Sequence, residues 1–248
     1  MQGEGMFSGV TTERFLNLTP EEKRLLGNVK TAYEDFVREF VARHYRQALG
    51  ALLTGFGAGA TLYDALMDNP ISRSNDKKKY VQLFDAETPK NPEVVLRDRR
   101  DGKKRPFAFG EIIYAVRCAF AHAYEDLDVQ KDGIDCEVRL DWRWAGCFAR
   151  PGWTMPVLVH PGDNIVLNAF LLMEKISWVL VKLVFCIEGV AMQHEIEVRT
   201  ERLRQAPPAG PYPIVVGEIK SSLPNFFDIL EHADITRRVP MTKPGMRG

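Results

Sequence analysis

Cysteine is scarce in this sequence, with four residues in 248, and no two of them have the Cys-x-x-Cys spacing. That absence excludes a zinc knuckle and a thioredoxin-like redox motif. Net charge is lacking as well, because 33 basic residues balance 33 acidic ones. A surface that binds nucleic acid would therefore have to come from local clustering of basic residues rather than from overall charge.

Targeting signals are also missing. The first twenty residues contain neither a basic start nor a long apolar core, so no signal peptide is expected. The widely spaced cysteines fit a reducing compartment, and we expect a cytoplasmic protein. The apolar stretch 165–187 is long enough for a membrane span. However, Glu174, Lys175 and Lys182 lie within it, and charges at the centre of a bilayer are costly, so a central bundle helix is favoured.

Helical signals dominate the chain. Thr19 can cap a helix whose first turn holds Pro20 and Glu22, and apolar residues then recur every three or four positions to about Leu53. The glycines of segment 55–59 predict a turn rather than a phosphate-binding loop, because no lysine closes the segment. The apolar stretch from Ile165 predicts a second long helix that ends near residue 204. The fold class is therefore expected to be mainly α, a helical bundle.

One segment instead has the alternation of a β-strand. From Ile134 to Trp144, apolar and charged residues alternate, and residues 155–159 could form the partner strand of a hairpin. We therefore expect a flexible N-terminal segment (1–18) that ends in a docking stretch, and a helical domain (19–204) with a β-hairpin insertion at 134–160. A Pro-rich linker and irregular C-terminal extension (205–248) are expected to follow.

The residues best suited to chemistry lie in the segment 112–124. Its apolar side chains recur at helical spacing and predict a helix from Pro106 to Tyr124. Arg117 and Tyr124 are seven residues apart and share a face, whereas His122 lies roughly 140° around the axis from Arg117. Arg117 and His122 can therefore converge only if the helix ends or bends near His122, or if a second copy of the chain faces the first.

The pattern Arg117-x4-His122-x-Tyr124 resembles the signature of HEPN-domain proteins. The resemblance implies a helical bundle that works as a homodimer, in which two such motifs line a shared cleft. Many HEPN proteins are metal-independent endoribonucleases of toxin–antitoxin or anti-phage systems. The tyrosine two residues after the histidine resembles the toxins of pairs in which a nucleotidyltransferase partner modifies that tyrosine. Cys118 follows the arginine, where many members carry a polar residue.

The chemistry of these residue types agrees with that resemblance. RNA carries its own nucleophile, the 2′-hydroxyl, and His122 has a side-chain type that can move protons near neutral pH. Arg117 is permanently charged and can bind phosphate oxygens with its forked donors. The resemblance implies a 2′,3′-cyclic phosphate product, Tyr124 as a third catalytic or modified residue, and neither metal nor cofactor.

A basic stretch precedes the motif helix. Its six cations are Arg97, Arg99, Arg100, Lys103, Lys104 and Arg105. They could contact the phosphate backbone of RNA beside the cleft. Equally, they could belong to a solvated loop that turns at Asp101–Gly102, for example within a hairpin that begins near residue 94. Both interpretations stay open at this stage.

The other metal-binding patterns fail on spacing. A loop that starts at Asp128 has Arg139 at its twelfth position, where a calcium-binding EF-hand needs glutamate. His44, His160, His194 and His232 lack a second histidine at zinc-binding spacing, and we expect them to be non-catalytic. The alternative to a ribonuclease is a non-catalytic helical protein that uses the same bundle to bind a partner or a nucleotide.

Overall fold

Helices carry most of the chain that the structure describes. The structure is a computed structural model, and it describes residues 6–67, 70–71, 75–87, 93–98, 100–121, 127–131, 134–142, 157–159, 165–205 and 221–233. The helices within these ranges are α1 (Thr12–Leu16), α2 (Pro20–Val41), α3 (Tyr45–Leu66), α4 (Asp76–Glu87), α5 (Phe109–Ala121), α6 (Ala169–Gln205) and α7 (Phe226–His232). The strands are β1 (Glu93–Arg97), β2 (Lys104–Ala108), β3 (Leu127–Lys131), β4 (Ile134–Asp141), β5 (Val157–Val159) and β6 (Ile165–Asn168).

Helix α2 begins where the sequence predicts. The Thr19 hydroxyl accepts a hydrogen bond from the Glu22 amide at 3.3 Å, and the Glu22 carboxylate accepts one from the Thr19 amide at 2.8 Å. This reciprocal capping box satisfies two amides that an uncapped helix would leave without partners. Glu22 is only 5% exposed, and its carboxylate also pairs with the Arg14 guanidinium. Residue Glu22 thus joins the start of α2 to helix α1.

The Arg14–Glu22 pair predicts a specific loss of stability in acid. Hydrogen bonds from Arg14 are the main cause that holds the pKa of Glu22 below its usual 4.5. The pair therefore stabilises the fold fully above about pH 4.5 and loses this contribution as the pH falls through the lowered folded-state pKa. Between roughly pH 5 and 3, we expect wild type to lose about 1 kcal/mol more unfolding free energy than Glu22→Gln, measured by urea denaturation.

Glutamine is the matched control because it can still complete the capping box while it lacks the titrating charge. The two proteins should therefore converge in stability at the acid end of the range. Parallel curves of unfolding free energy against pH would show that the Arg14–Glu22 pair does not contribute.

The prediction of one helix from Thr19 to Leu53 followed by a glycine turn is wrong. Helix α2 ends at Val41, Arg43 takes a positive φ of 67°, and α3 then runs through the glycines to Leu66. A Cβ on Gly55 would lie 3.2 Å from Ala32 and from Leu180, and one on Gly59 would lie 3.0 Å from Leu183. Glycine costs about 1 kcal/mol in a helix. Here that cost is offset because α2 and α6 pack closely on α3.

Helix α6 forms the centre of the bundle, as predicted. Most positions of its N-terminal half from Ala169 to Ile187 are buried, although Trp178 and Phe185 are exposed, and the helix packs on α3. The start of this helix was predicted too early, at Ile165, because residues 165–168 form β6 instead. The side chain of Asn168 caps the helix, accepting hydrogen bonds from the amides of Phe170 and Leu171, both at 3.1 Å. The predicted end near residue 204 agrees with Gln205. Among the described residues, no helix is both long enough and apolar enough to cross a membrane.

A buried tyrosine connects α2, α6 and the segment before α7. The Tyr33 hydroxyl lies 2.6 Å from the Ser177 hydroxyl and donates to the Pro224 carbonyl at 2.7 Å. Helix α7 is capped by Asn225 through a capping box with Asp228. Phe226 then packs on Phe36 and Phe40 of α2. Part of the predicted irregular C-terminal extension is therefore a helix docked on the core.

The N-terminal segment docks earlier than predicted. Met6 is 2% exposed and Phe15 is 6% exposed, and the Phe7 ring contacts both Phe15 and Tyr63. The Tyr63 hydroxyl donates to the Met6 carbonyl at 2.9 Å. Residues from Met6 onward are therefore packed against the bundle, and the expectation of a flexible segment is wrong for that part. Residues 1–5 lie outside the described ranges.

Two small sheets accompany the helices. Strands β1 and β2 form an antiparallel hairpin in which Glu93 pairs with Ala108 and Arg97 with Lys104. The second sheet has the order β3-β4-β6-β5. The predicted pairing of residues 134–144 with 155–159 is wrong, because β4 pairs with β3 and, in parallel, with β6, while β5 pairs with β6. The insertion is thus a four-stranded sheet rather than a hairpin.

Candidate functional site

Helix α5 presents Arg117 to solvent. Phe109, Ile112, Ile113 and Val116 are fully buried, and this apolar face attaches the helix to the bundle. Arg117 lies on the other side of the helix and is exposed. The helix begins at Phe109 rather than at the predicted Pro106, because residues 104–108 belong to β2. The predicted amphipathic character of the motif helix is otherwise confirmed.

Close contacts with α4 fix the position of α5. A Cβ on Gly110 would lie 2.6 Å from the Cα of Val81 and 2.8 Å from the carbonyl oxygen of Tyr80. The Glu111 carboxylate accepts a hydrogen bond from the Ala108 amide at 3.0 Å and pairs with Lys77 at 3.3 Å. The two backbones therefore touch, and only glycine at position 110 permits this distance.

Helix α4 was not predicted, because its apolar residues lie among lysines in a polar stretch. Tyr80, Leu83 and Phe84 are buried, at the three- and four-residue spacing of a helix. Lys79 is also buried, with its ammonium 3.8 Å from Asp64 of α3 and 3.7 Å from Asp76. Helix α4 thus packs against both α3 and α5.

Arg117 forms no ion pair with any residue in the described ranges. In α3 it lies beside Gly57, since a Cβ on that glycine would lie 3.8 Å from the Arg117 Nε. The same Cβ would lie 2.6 Å from the hydroxyl oxygen of Tyr80. The Arg117 side chain and the Tyr80 hydroxyl thus converge on one backbone position of α3, and no carboxylate of the described residues pairs with the guanidinium.

The Tyr80 hydroxyl is buried, and within the described part of the chain it has no hydrogen-bond partner. Its ring is held by Phe56 at 5.2 Å and by Tyr114 in an edge-to-face contact at 5.3 Å, and the residue is 3% exposed. A buried polar group without a partner costs about 1–3 kcal/mol. Burial raises the pKa of Tyr80, although the Arg117 guanidinium opposes this shift, so the hydroxyl keeps its proton at neutral pH.

Tyr114 and Cys118 complete the surroundings of Arg117. Burial is the main cause that raises the pKa of Tyr114, and the neighbouring Cys118 thiol raises it further. Cys118 is a half-buried free thiol. Cys118 therefore lies beside the tyrosines, one position after the arginine.

His122 and Tyr124 lie outside the described residues, as α5 is described to Ala121. Their convergence with Arg117 remains a prediction from the sequence. The other histidines that the structure describes, His44, His194 and His232, are exposed. His44 pairs with Glu39 at 3.0 Å, which agrees with a surface role. His160 lies outside the described ranges.

The basic stretch forms the predicted hairpin and turns at Gly102, whose φ is +68°. Asp101 pairs with Lys103 at 3.5 Å and with Arg105 at 3.3 Å. The hydrogen bond from the Lys103 amide is the main cause that lowers the pKa of Asp101. Part of the positive charge is thus balanced within the hairpin. The exposed cations are Arg97, Arg100, Lys103 and Lys104; Arg105 is half-buried, and Arg99 lies outside the described residues.

Two grooves run beside α6, and neither is lined by a residue predicted to be functional. One, of about 460 Å³, lies between α6 and the segment around Phe7. The other, of about 820 Å³, lies between α6 and the start of α7. Within the described ranges, no cluster of three or more His, Cys, Asp or Glu side chains could hold a metal ion.

Comparisons with family models, with curated proteins and with solved structures find no match to this chain. The site is therefore interpreted from its own geometry. That geometry joins Arg117, which the sequence predicts, to Tyr80 and Gly57, which it does not. The sequence signal that could have found Tyr80 is its spacing from Leu83 and Phe84.

Proposed function

We propose that this protein is a metal-independent endoribonuclease of the HEPN type that works in the cytoplasm as a homodimer. The observation that carries the proposal is the exposed guanidinium of Arg117, which lacks a carboxylate partner among the described residues and lies five positions before His122. An exposed guanidinium is permanently charged and presents forked donors, so at this position it is available to bind an anion.

The proposed reaction needs no group from outside the RNA and the protein. The 2′-hydroxyl attacks the adjacent phosphorus, the bond to the 5′-oxygen breaks, and a 2′,3′-cyclic phosphate and a 5′-hydroxyl are formed. His122 takes the proton from the 2′-hydroxyl, and the His122 of a second copy gives a proton to the leaving oxygen. Arg117 stabilises the extra negative charge on the phosphate oxygens. Tyr124 contacts the phosphate or is the residue that a partner modifies.

The basic hairpin supports the same proposal. Its strand β2 leads directly into α5, so its exposed cations and Arg117 belong to one continuous part of the structure. We propose that Arg97, Arg99, Arg100, Lys103, Lys104 and Arg105 contact the RNA backbone on the approach to Arg117. Since Asp101 balances part of this charge, the hairpin contributes to affinity less than six free cations would. An antitoxin or nucleotidyltransferase partner is part of the same proposal.

Incubation of the purified protein with single-stranded RNA in EDTA tests this function. We expect cleavage that continues without divalent metal and that leaves 2′,3′-cyclic phosphate ends, identified by mass spectrometry. A protein with both Arg117→Ala and His122→Ala, purified in parallel, controls for contaminating ribonucleases. Light scattering measures the expected dimer. Equal cleavage by the two preparations, or no cleavage of any RNA, would contradict the proposal.

The second candidate is a non-catalytic protein that binds a nucleotide or another phosphate-bearing partner. The specific observation in its favour is the buried Tyr80 hydroxyl beside Arg117, since this pair could bind an anion without any acid–base chemistry. Tight binding of a mononucleotide without RNA cleavage would favour this candidate.

A further inference from the structure

The Tyr80 hydroxyl is a hydrogen-bond donor that finds no acceptor among the residues that the structure describes. Nearly all buried polar groups in proteins have a partner, so a buried hydroxyl without one indicates a missing ligand or solvent molecule. The ring cannot turn the hydroxyl elsewhere, because Phe56 and Tyr114 hold it from two sides. The packing between α3, α4 and α5 therefore fixes the position of this donor.

The donor lies beside the free cation. Gly57 allows the Tyr80 hydroxyl to approach the α3 backbone, and the Arg117 Nε lies next to the same position. Arg117 is exposed while the hydroxyl is buried, so an anion that binds the guanidinium would approach the hydroxyl from the solvent side. Asp76 is the acidic group that acts on Tyr80, and it is partly balanced by Lys79 at 3.7 Å.

We infer that Tyr80 and Gly57 form, together with Arg117, a binding site for a phosphate group of RNA. The guanidinium binds phosphate oxygens from the solvent side, and the Tyr80 hydroxyl donates a hydrogen bond to one of them. Gly57 is required because any side chain there would displace the hydroxyl. This inference rests on the proposed function for the identity of the ligand, while the site itself requires only a phosphate group.

Tyr80→Phe tests the inference because it removes only the hydroxyl and keeps the ring contacts. The probes are a short 2′-O-methyl RNA, which cannot be cleaved by its own 2′-oxygen, and adenosine 3′-monophosphate. We expect the Kd of both probes to increase about tenfold, as for the loss of one hydrogen bond to a charged group. Calorimetric titration measures the Kd, and thermal denaturation should show that the variant is at least as stable as wild type.

Tyr45→Phe is the matched control, since this half-buried tyrosine lies beside Phe40 and Phe170, away from Arg117. Its Kd values should equal those of wild type. A second variant, Gly57→Ala, should weaken binding as well. The double variant Gly57→Ala/Tyr80→Phe should have a Kd no higher than that of the weaker-binding single variant.

The outcomes separate this inference from the proposed function. If wild type cleaves RNA and folded Tyr80→Phe binds both probes as wild type does, the inference is wrong and the ribonuclease proposal stands. If wild type binds phosphate through Tyr80 but cleaves no RNA, the ribonuclease proposal is wrong and the site stands. If wild type binds neither probe, the inference is overturned.

Discussion

Replacing Arg117 by alanine is expected to lower the rate constant of RNA cleavage by about 100-fold, the usual loss when one charge-stabilising donor is removed from an active site. In the proposed reaction, the guanidinium stabilises charge that grows on the phosphate oxygens, and a truncated side chain cannot replace it. Single-turnover cleavage of a fluorescently labelled RNA in EDTA measures the rate constant. Since Arg117 is exposed and forms no ion pair within the described residues, the variant should fold normally.

Two further variants make this prediction specific. Arg117→Lys keeps the charge but loses the forked donors, so its rate constant should lie between those of wild type and Arg117→Ala. Arg24→Ala removes an exposed arginine of α2 that pairs only with Glu21 on its own helix, and its rate should equal that of wild type. A rate constant for Arg117→Ala within a factor of about two of wild type would exclude Arg117 from the catalytic site.

Replacing Gly110 by alanine is expected to lower the unfolding free energy by about 3 kcal/mol, near the upper end of the usual cost of overpacking. The new Cβ would lie 2.6 Å from the Cα and 2.7 Å from the amide nitrogen of Val81. These are backbone atoms of a helix, so no side chain can rotate away, and α4 and α5 must separate. Urea denaturation measures the loss, and the melting temperature should fall by roughly 6–12 °C.

Gly27→Ala is the matched control for this substitution. Gly27 also lies within a helix, yet no atom is within 4 Å of the position that its Cβ would occupy. Alanine there should leave stability unchanged or raise it by up to about 1 kcal/mol, because alanine has the higher helix propensity. Equal unfolding free energies of the two variants would show that the contact between α4 and α5 is not the cause of any loss of stability at position 110.

The Gly110 contact also matters for the site. Helix α5 carries Arg117, and α4 carries Tyr80, one residue before the Val81 backbone that Gly110 touches. A shift between these helices would therefore move the guanidinium away from the hydroxyl. Any Gly110→Ala protein that still folds should bind phosphate more weakly, although neither Arg117 nor Tyr80 has been changed.

Several features of the fold were predictable because their signals are local. The capping box of Thr19 and Glu22 spans four residues, and the turn at Gly102 depends on one glycine. The buried half of α6 follows from a long apolar stretch that three charged residues interrupt. The amphipathic character of α5 follows from spacing within two helical turns. In each case the residues that decide the structure are neighbours in the sequence.

Other features depended on partners far along the chain. The glycine-rich segment of α3 has the sequence pattern of a turn. It is helical instead, and Ala32, Leu180 and Leu183 pack where side chains at Gly55 and Gly59 would be. The pairing of β4 with β6 rather than with β5 is likewise a choice among distant strands. Helix propensity and alternation are weak signals, and tertiary packing overrides them where enough apolar surface is buried.

The sequence by itself determined a mainly helical protein with a capped α2, a central α6 and an arginine on the outer face of α5. Only the tertiary structure decided that α4 lies between α3 and α5, and that it brings the Tyr80 hydroxyl to Gly57 and Arg117. The physical reason is distance along the chain: positions 57, 80 and 117 have no periodic relation to one another. Their meeting follows from the close packing of three helices, which no local pattern records.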